Sequence, residues 1–305
     1  MKKKFIFLFT IILTSMLFIT TQVPRLIVEP RHHIIRLFSH FKKKDNTIEE
    51  AIYKGEKFEI QTFDHLKLQG EIISPKVDCK GNIILLHGIR ANRQGMMRQA
   101  NKLVEMGYRC ILLDLRGHGE SEGKYCSFGF YEKKDISTLI NSLETRNYTY
   151  NLGILGHSMG AAIAIQCMEL DKRIEFGIIE SAFSDLKTTT CDYIKSYLGF
   201  KIEYLYNYFI RRAEKIAHFH FEDVIPENSC KNIQQDVLVF HGKTDKKISI
   251  EYGQNNFKNM ASKNKKLMEV PGANHTDVDI IDRERFYLEI QKFFDRRKEL
   301  ALKQS

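Results

Sequence analysis

Apolar residues fall into two kinds of pattern along this chain. Short continuous runs stand at 82–86 (NIILL), 110–114 (CILLD), 151–155 (NLGIL), 176–179, 237–240 (VLVF) and 267–270 (LMEV). Runs of that length predict strands buried on both faces. Between them, 97–106, 132–146, 159–169 and 283–298 read as helices, and Gly107 ends the first. Residues 58–62 and 66–73 predict an opening hairpin with Asp64-His65 at its turn. Short apolar strands alternating with helices imply an α/β fold, its mostly parallel central sheet covered by helices on both faces. In such sheets ligands sit at the carboxyl ends of the strands, so chemistry is sought in the loops just after them.

A different pattern opens the chain. Lys2, Lys3 and Lys4 precede residues 5–19, which are apolar except for Thr10, Thr14 and Ser15. That order describes a signal peptide or an uncleaved signal anchor. No A-x-A-like cleavage site follows, and the apolar stretch up to Val23 is long enough to span a bilayer, which favours the anchor. Positive charge flanks it on both sides, but the signal-like order puts the remainder of the chain outside the cytoplasm. Beyond it, Ile34, Leu37, Phe38 and Phe41 fall at helical spacing among Arg36, Lys42 and Lys43. This predicts a helix that lies on lipid headgroups or packs against the domain.

Charge changes the picture only through its distribution. The first 44 residues hold nine Lys/Arg and one acid, Glu29, and so account for +8 of the formal +9. The remainder is nearly neutral, which gives nucleic-acid binding no support and points the basic leader at a membrane. Cys110 and Cys167 fall in strand and helix patterns and read as small buried hydrophobes, whereas Cys191 and Cys230 bracket one stretch and are a candidate pair. There is no metal-ligand cluster and no phosphate-binding glycine loop, so neither metal nor cofactor is expected.

The chemistry-bearing residues stand where the strand pattern places them. Gly156-His157-Ser158-Met159-Gly160 joins the strand at 151–155 to the helix at 159–169, the G-x-S-x-G pattern in its strand–turn–helix setting. Glycines there relieve crowding around a tight turn that projects the serine hydroxyl into the cleft. A serine hydroxyl is a weak nucleophile and needs a base held by an acid. His275 follows the strand at 267–270 and is the candidate base. Asp245 follows the strand at 237–240 and is the candidate acid, with Glu180, after 176–179, as the alternative. Asp277 and Asp279 lie close behind His275. His87, His118, His157 and His241 also stand near strand ends; His87 and His241 shape loops, and His157 neighbours the serine within its own turn, which constrains its reach to the hydroxyl. Backbone N–H groups of Met159 and Ile89 are the candidate oxyanion donors. Asp114 to Ser121 (DLRGHGES) reads as a structured turn.

Together, HG after one strand, DLRGHGES after the next, GHSMG, ESAFSDL, HGKTD and GANH resemble the α/β-hydrolase superfamily. They are most similar to its serine-hydrolase branch of Bem46-like and serine aminopeptidase-like, membrane-anchored proteins. The likeness covers about residues 58–298. It implies a catalytic triad of Ser158, Asp245 and His275, no cofactor, and an insert at about 184–236 folded as a helical cap. Tyr193, Tyr197, Tyr204, Tyr206, Phe209, Arg211, Arg212 and Lys215 belong to that insert. The implied organisation is a signal anchor or signal peptide (1–23), a basic juxtamembrane linker (24–56) and an α/β-hydrolase domain (57–300). The implied activity is acyl-enzyme hydrolysis of a carboxylic ester or thioester, small or lipidic. A peptidase, amidase or acyltransferase is the alternative within enzymes, and a membrane-tethered binding protein the alternative outside them.

Overall fold

The buried runs assemble into one sheet. In the computed structural model, residues 2–39, 52–198 and 203–302 are described. Among them are eight strands: β1 (Glu56–Gln61), β2 (Lys67–Ile73), β3 (Asn82–Leu86), β4 (Arg109–Leu113), β5 (Leu152–His157), β6 (Phe176–Glu180), β7 (Asp236–Gly242) and β8 (Lys265–Val270). Their order is β1-β2-β4-β3-β5-β6-β7-β8. β2 runs antiparallel to both of its neighbours, and the pairs from β4 through β8 are parallel. The sheet is therefore α/β with a hairpin at one edge, as the pattern predicts.

The two faces follow from the period of two along each strand. Ile84 and Leu86 join Ile111, Leu113 and Ile154 in one core, whereas Ile83 and Leu85 join Cys110, Leu112 and Leu155 in the other. The helices in chain order are α1 (Lys2–Val28), α2 (His33–Ser39), α3 (Met97–Glu105), α4 (Glu132–Glu144), α5 (Met159–Leu170), α6 (Leu186–Leu198), α7 (Glu203–Ala217), α8 (Pro226–Cys230), α9 (Ile250–Asn259), α10 (Val278–Ile281) and α11 (Arg283–Leu302). α4 and α5 cover the first face through Ile136, Leu139, Ala161 and Ile165. α3 and α11 cover the second through Leu103, Val104, Phe286 and Ile290. Each fully buried Leu, Ile or Phe contributes about 1.5–3 kcal/mol of transfer free energy.

Differences from the sequence reading are local. A 3-10 turn (Arg93–Met96) leads into α3, and β8 starts two residues earlier than its apolar run, at Lys265. Cys191 and Cys230 form no disulfide. Cys230 is instead wholly buried in the core, where desolvation pushes its thiol far above the ordinary range. Of the insert's aromatic residues, Tyr206 and Phe209 are buried and Tyr204 is exposed, while Ile210, Ala213 and Ala217 of α7 join the core of the first face. α7 packs on α1, which runs unbroken through Pro24 to Val28. Length and composition make α1 able to cross a membrane. Phe41, Lys42 and Lys43 lie outside the described residues; α2 covers the start of that predicted helix.

The turn after β4 is built of buried ion pairs. Asp114 accepts from the Arg93 backbone N–H (2.7 Å), from its guanidinium, and from the Glu120 N–H (2.9 Å). Arg116 grips Asp135 at 2.7 and 2.6 Å. Removing one partner of a buried pair leaves an uncompensated charge. Asp114→Ala leaves the buried Arg93 guanidinium with Glu120 (2.7 Å) as its remaining close partner and takes the acceptor from the Arg93 and Glu120 N–H groups, so it is expected to cost about 2–4 kcal/mol. Denaturant unfolding checks this, and a loss under about 1 kcal/mol contradicts it.

Candidate active site

Chain order and sheet order together bring the site residues to one place. The chain passes from β3 outward to β4, then crosses back to β5 on the other side of β3. The loops after β3 and β5 therefore meet at the switch point, at the carboxyl end of the sheet. Contact there is close. A Cβ on Gly160 would lie 2.1 Å from the Leu86 carbonyl oxygen, so only glycine fits at the start of α5. Ser158 itself has φ 55° and ψ −116°, a conformation costly for a residue with a side chain. The turn is held by Ser158 N–H donating to the Glu180 carbonyl oxygen (2.8 Å).

Three loops then converge. The His275 Nε2 lies 2.8 Å from Ser158 Oγ, and its Nδ1 lies 2.7 Å from Asp245 Oδ2. All three residues are buried. The other Asp245 oxygen accepts the N–H groups of Lys247 (2.8 Å) and Ile248 (2.9 Å). Burial pushes the Asp245 carboxyl up, but the His275 hydrogen bond and these N–H donors outweigh it, so its pKa stands below the ordinary value. An ionised Asp245 fixes the proton on Nδ1 and leaves Nε2 as an acceptor for the serine hydroxyl. The arrangement can pass a proton from Oγ to the imidazole.

The rival candidates have other partners. Glu180 pairs with His157 Nδ1 (3.2 Å) rather than with His275. Asp277 caps the Asn274 N–H. Asp279 binds Arg98 at 2.6 and 2.7 Å and Gln99 at 2.9 Å. His87 accepts from the Leu115 N–H, His118 bonds the Arg116 carbonyl, and His241 bonds the Ile248 carbonyl. Near Ser158, a Cβ on Gly88 would lie 3.4 Å from the serine Cβ, so the loop bearing Ile89 passes directly beside it. Among the described residues, neither the Ile89 nor the Met159 N–H finds a backbone or side-chain acceptor.

The sequence reading missed a charged cluster at the site. His157 and Glu180 sit beside Arg98, Gln99 and Asp279 in the wall of a cavity of about 520 Å³ next to the triad. Arg98 and Asp279 are 181 positions apart, and no local pattern links them. The His157 and His275 rings are 5.3 Å apart. Burial pushes the His157 imidazole down, but Glu180 more than offsets this and holds its pKa above the ordinary value. Burial also lowers the pKa of His275, and the nearby His157 cation adds to that effect.

The pattern of the family described as Serine aminopeptidase, S33, matches residues 78–200. Protein YqkD of Bacillus subtilis (strain 168) is 33% identical over 99 residues, 32% of this chain and 32% of its own length. The AB hydrolase superfamily protein YisY of the same organism is 34% identical over 111 residues, 33% of this chain and 39% of its own. The chain thus spans well under half the length of these curated relatives. An esterase of Pyrococcus furiosus superposes with a TM-score of 0.67 at 25% identity, over 80% of this chain and 91% of the esterase. Sheet order, the position of the site and these matches make the chain a member of the α/β-hydrolase superfamily.

The two imidazoles make a separable prediction. His275 is expected to titrate below pH 6.5 and His157 above it. Over the interval between the two pKa values, the cationic His157 opposes protonation of His275, so His157→Gln should raise the His275 pKa. Imidazole NMR titration reads both, and an unchanged or lowered His275 value contradicts the assignment.

Proposed function

We propose that this chain is a serine hydrolase that cleaves a carboxylic ester or thioester through an acyl-enzyme. The observation that supports this most is the unbroken chain of hydrogen bonds from Ser158 Oγ through His275 to Asp245, at 2.8 and 2.7 Å. Ser158 Oγ attacks the acyl carbon as its proton passes to His275 Nε2. Asp245 stabilises the imidazolium that results. The N–H groups of Met159 and Ile89 receive the developing oxyanion. The leaving alkoxide or thiolate takes the proton from Nε2. Water, deprotonated by the same imidazole, then releases the acid and restores Ser158.

The likeness to the Pyrococcus furiosus esterase, which extends over most of both chains, favours an ester over an amide. A triad does not by itself separate the two, and the serine aminopeptidase pattern keeps peptide or amide cleavage as the second reading. In the same reading α1 is an uncleaved anchor, and the catalytic domain lies outside the cytoplasm. Its apolar residues 5–19 are solvent-facing where they are described, with Phe5 73% and Leu17 64% exposed, as a segment meant for lipid would be.

A fluorophosphonate probe applied to full-length protein in membranes should label the wild type and not Ser158→Ala. On a panel of 4-nitrophenyl esters and thioesters, Ser158→Ala and His275→Ala should each lose about three to six orders of magnitude in kcat. Asp245→Asn should lose about four. A folded wild type that neither labels nor hydrolyses any ester, thioester or amide would sink the reading and leave a tethered binding protein in its place.

A further inference from the structure

The cavity beside the triad is walled by the neighbours of the site residues. Arg90 follows Ile89, His157 precedes Ser158, and Thr276 follows His275. Among the described residues, none of α6, α7 or α8 lines it. The wall that a cap would be expected to supply comes instead from the N-terminal segment, through Pro30 and Arg31. That segment is fastened in place. Val28 is wholly buried, and its carbonyl accepts the Cys126 N–H at 2.9 Å.

Two arginines at this wall stand apart in their bonding. Arg31 donates to the carbonyl oxygens of Gly119 (3.1 Å) and Gly123 (2.6 Å). Arg90 donates to the Leu26 carbonyl oxygen (2.9 Å). Among the described residues, neither meets a carboxylate. The carboxylates of the same wall are already matched, Asp279 with Arg98 and Glu180 with His157. With His157 protonated, the cavity therefore has two cations more than anions. A guanidinium has five N–H donors, so each of the two keeps donors beyond those its carbonyl partners take. Held in place at a cavity mouth, such groups suit a carboxylate or phosphate.

We propose that Arg31 and Arg90 form an anion-recognising rim, so that the substrate is an acyl ester bearing a carboxylate or phosphate group. The proposal rests on the hydrolase reading above. Val28 lies nine residues beyond Ile19, about 14 Å along the helix at 1.5 Å per residue. An anchored α1 therefore places the rim within reach of lipid headgroups. The anionic group can belong to a membrane lipid or to a soluble ester, and the chemistry of recognition is the same.

The test uses full-length protein and two matched pairs of substrates. In solution, the 4-nitrophenyl hemiester of a dicarboxylic acid is compared with the 4-nitrophenyl ester of the monocarboxylic acid of equal length. In phosphatidylcholine vesicles, a monoacyl glycerophosphate is compared with the monoacylglycerol of the same chain. The wild type should prefer the anionic member about tenfold or more in kcat/KM in at least one pair, and the pair that shows it names the source. Arg31→Gln and Arg90→Gln should each cut that preference about tenfold, the loss of one charge-assisted bond. Arg31→Lys should keep part of it. Should Arg31→Gln unfold the Gly119–Gly123 turn, Arg90→Gln and Arg90→Glu read the same ratio. No preference in either pair, or a preference these variants leave unchanged, overturns the proposal while the hydrolase reading stands. An unlabelled Ser158 with no turnover takes both down together.

Discussion

The close approach of the first turn of α5 to the carboxyl end of β3 is the constraint on which the site depends. There is no room for a Cβ at Gly160 against the Leu86 carbonyl, and Ser158 is held at positive φ by the turn this forces. A relaxed turn would swing the hydroxyl away from His275 and move the Met159 N–H away from the loop that bears Ile89. The cost of the strained residue, on the order of 1–3 kcal/mol, is offset by a sheet whose central strands are buried on both faces. β3 and β6 are buried along their whole length. Rigid packing on both sides is what allows an unfavourable backbone conformation to persist at one position.

Charge is the second organising element. Arg93 with Asp114, Arg116 with Asp135, Arg98 with Asp279 and His157 with Glu180 each join segments distant in sequence or shape a turn. Buried pairs of this kind contribute little net stability, because desolvation offsets most of the attraction. Their effect is on geometry, since a misplaced partner leaves a bare charge in the interior. Arg98 and Asp279 tie α3 to the segment just after His275, and His157 and Glu180 tie the serine turn to the end of β6. The imidazole at the centre thus sits in a frame whose charges are fixed on two sides.

The end of the N-terminal helix packs on the α/β core. α1 does not end where its apolar stretch gives way to charge; it continues to Val28, which is buried in the core of the first face. Its contact with α7 joins it to the helical insert, and Pro30 and Arg31, just beyond it, stand in the wall of the cavity that His157 and Glu180 also line. The part that suits lipid and the part that shapes the cavity belong to one chain segment, separated by about three helical turns.

Much of this was legible in the sequence because it depends on local rules. Continuous apolar runs such as NIILL are specific to strands covered on both faces, and G-x-S-x-G between strand and helix marks a turn that few other contexts require. Ser158, Asp245 and His275 each follow a strand directly, so sequence position alone put them at the same edge of the sheet. The choice of Asp245 over Glu180 as the partner of His275 was not local: both follow strands, and only the packing gives Glu180 to His157. The same holds for Cys191 and Cys230, whose bracketing of one stretch says nothing of distance. Arg31 in the cavity wall and Arg98 on Asp279 leave no trace in any periodicity. The sequence by itself determined the elements and the chemical types at their ends, because backbone conformation and burial act over a few residues. Tertiary structure decided which of those ends meet, because contacts between residues a hundred positions apart are set by how the layers pack.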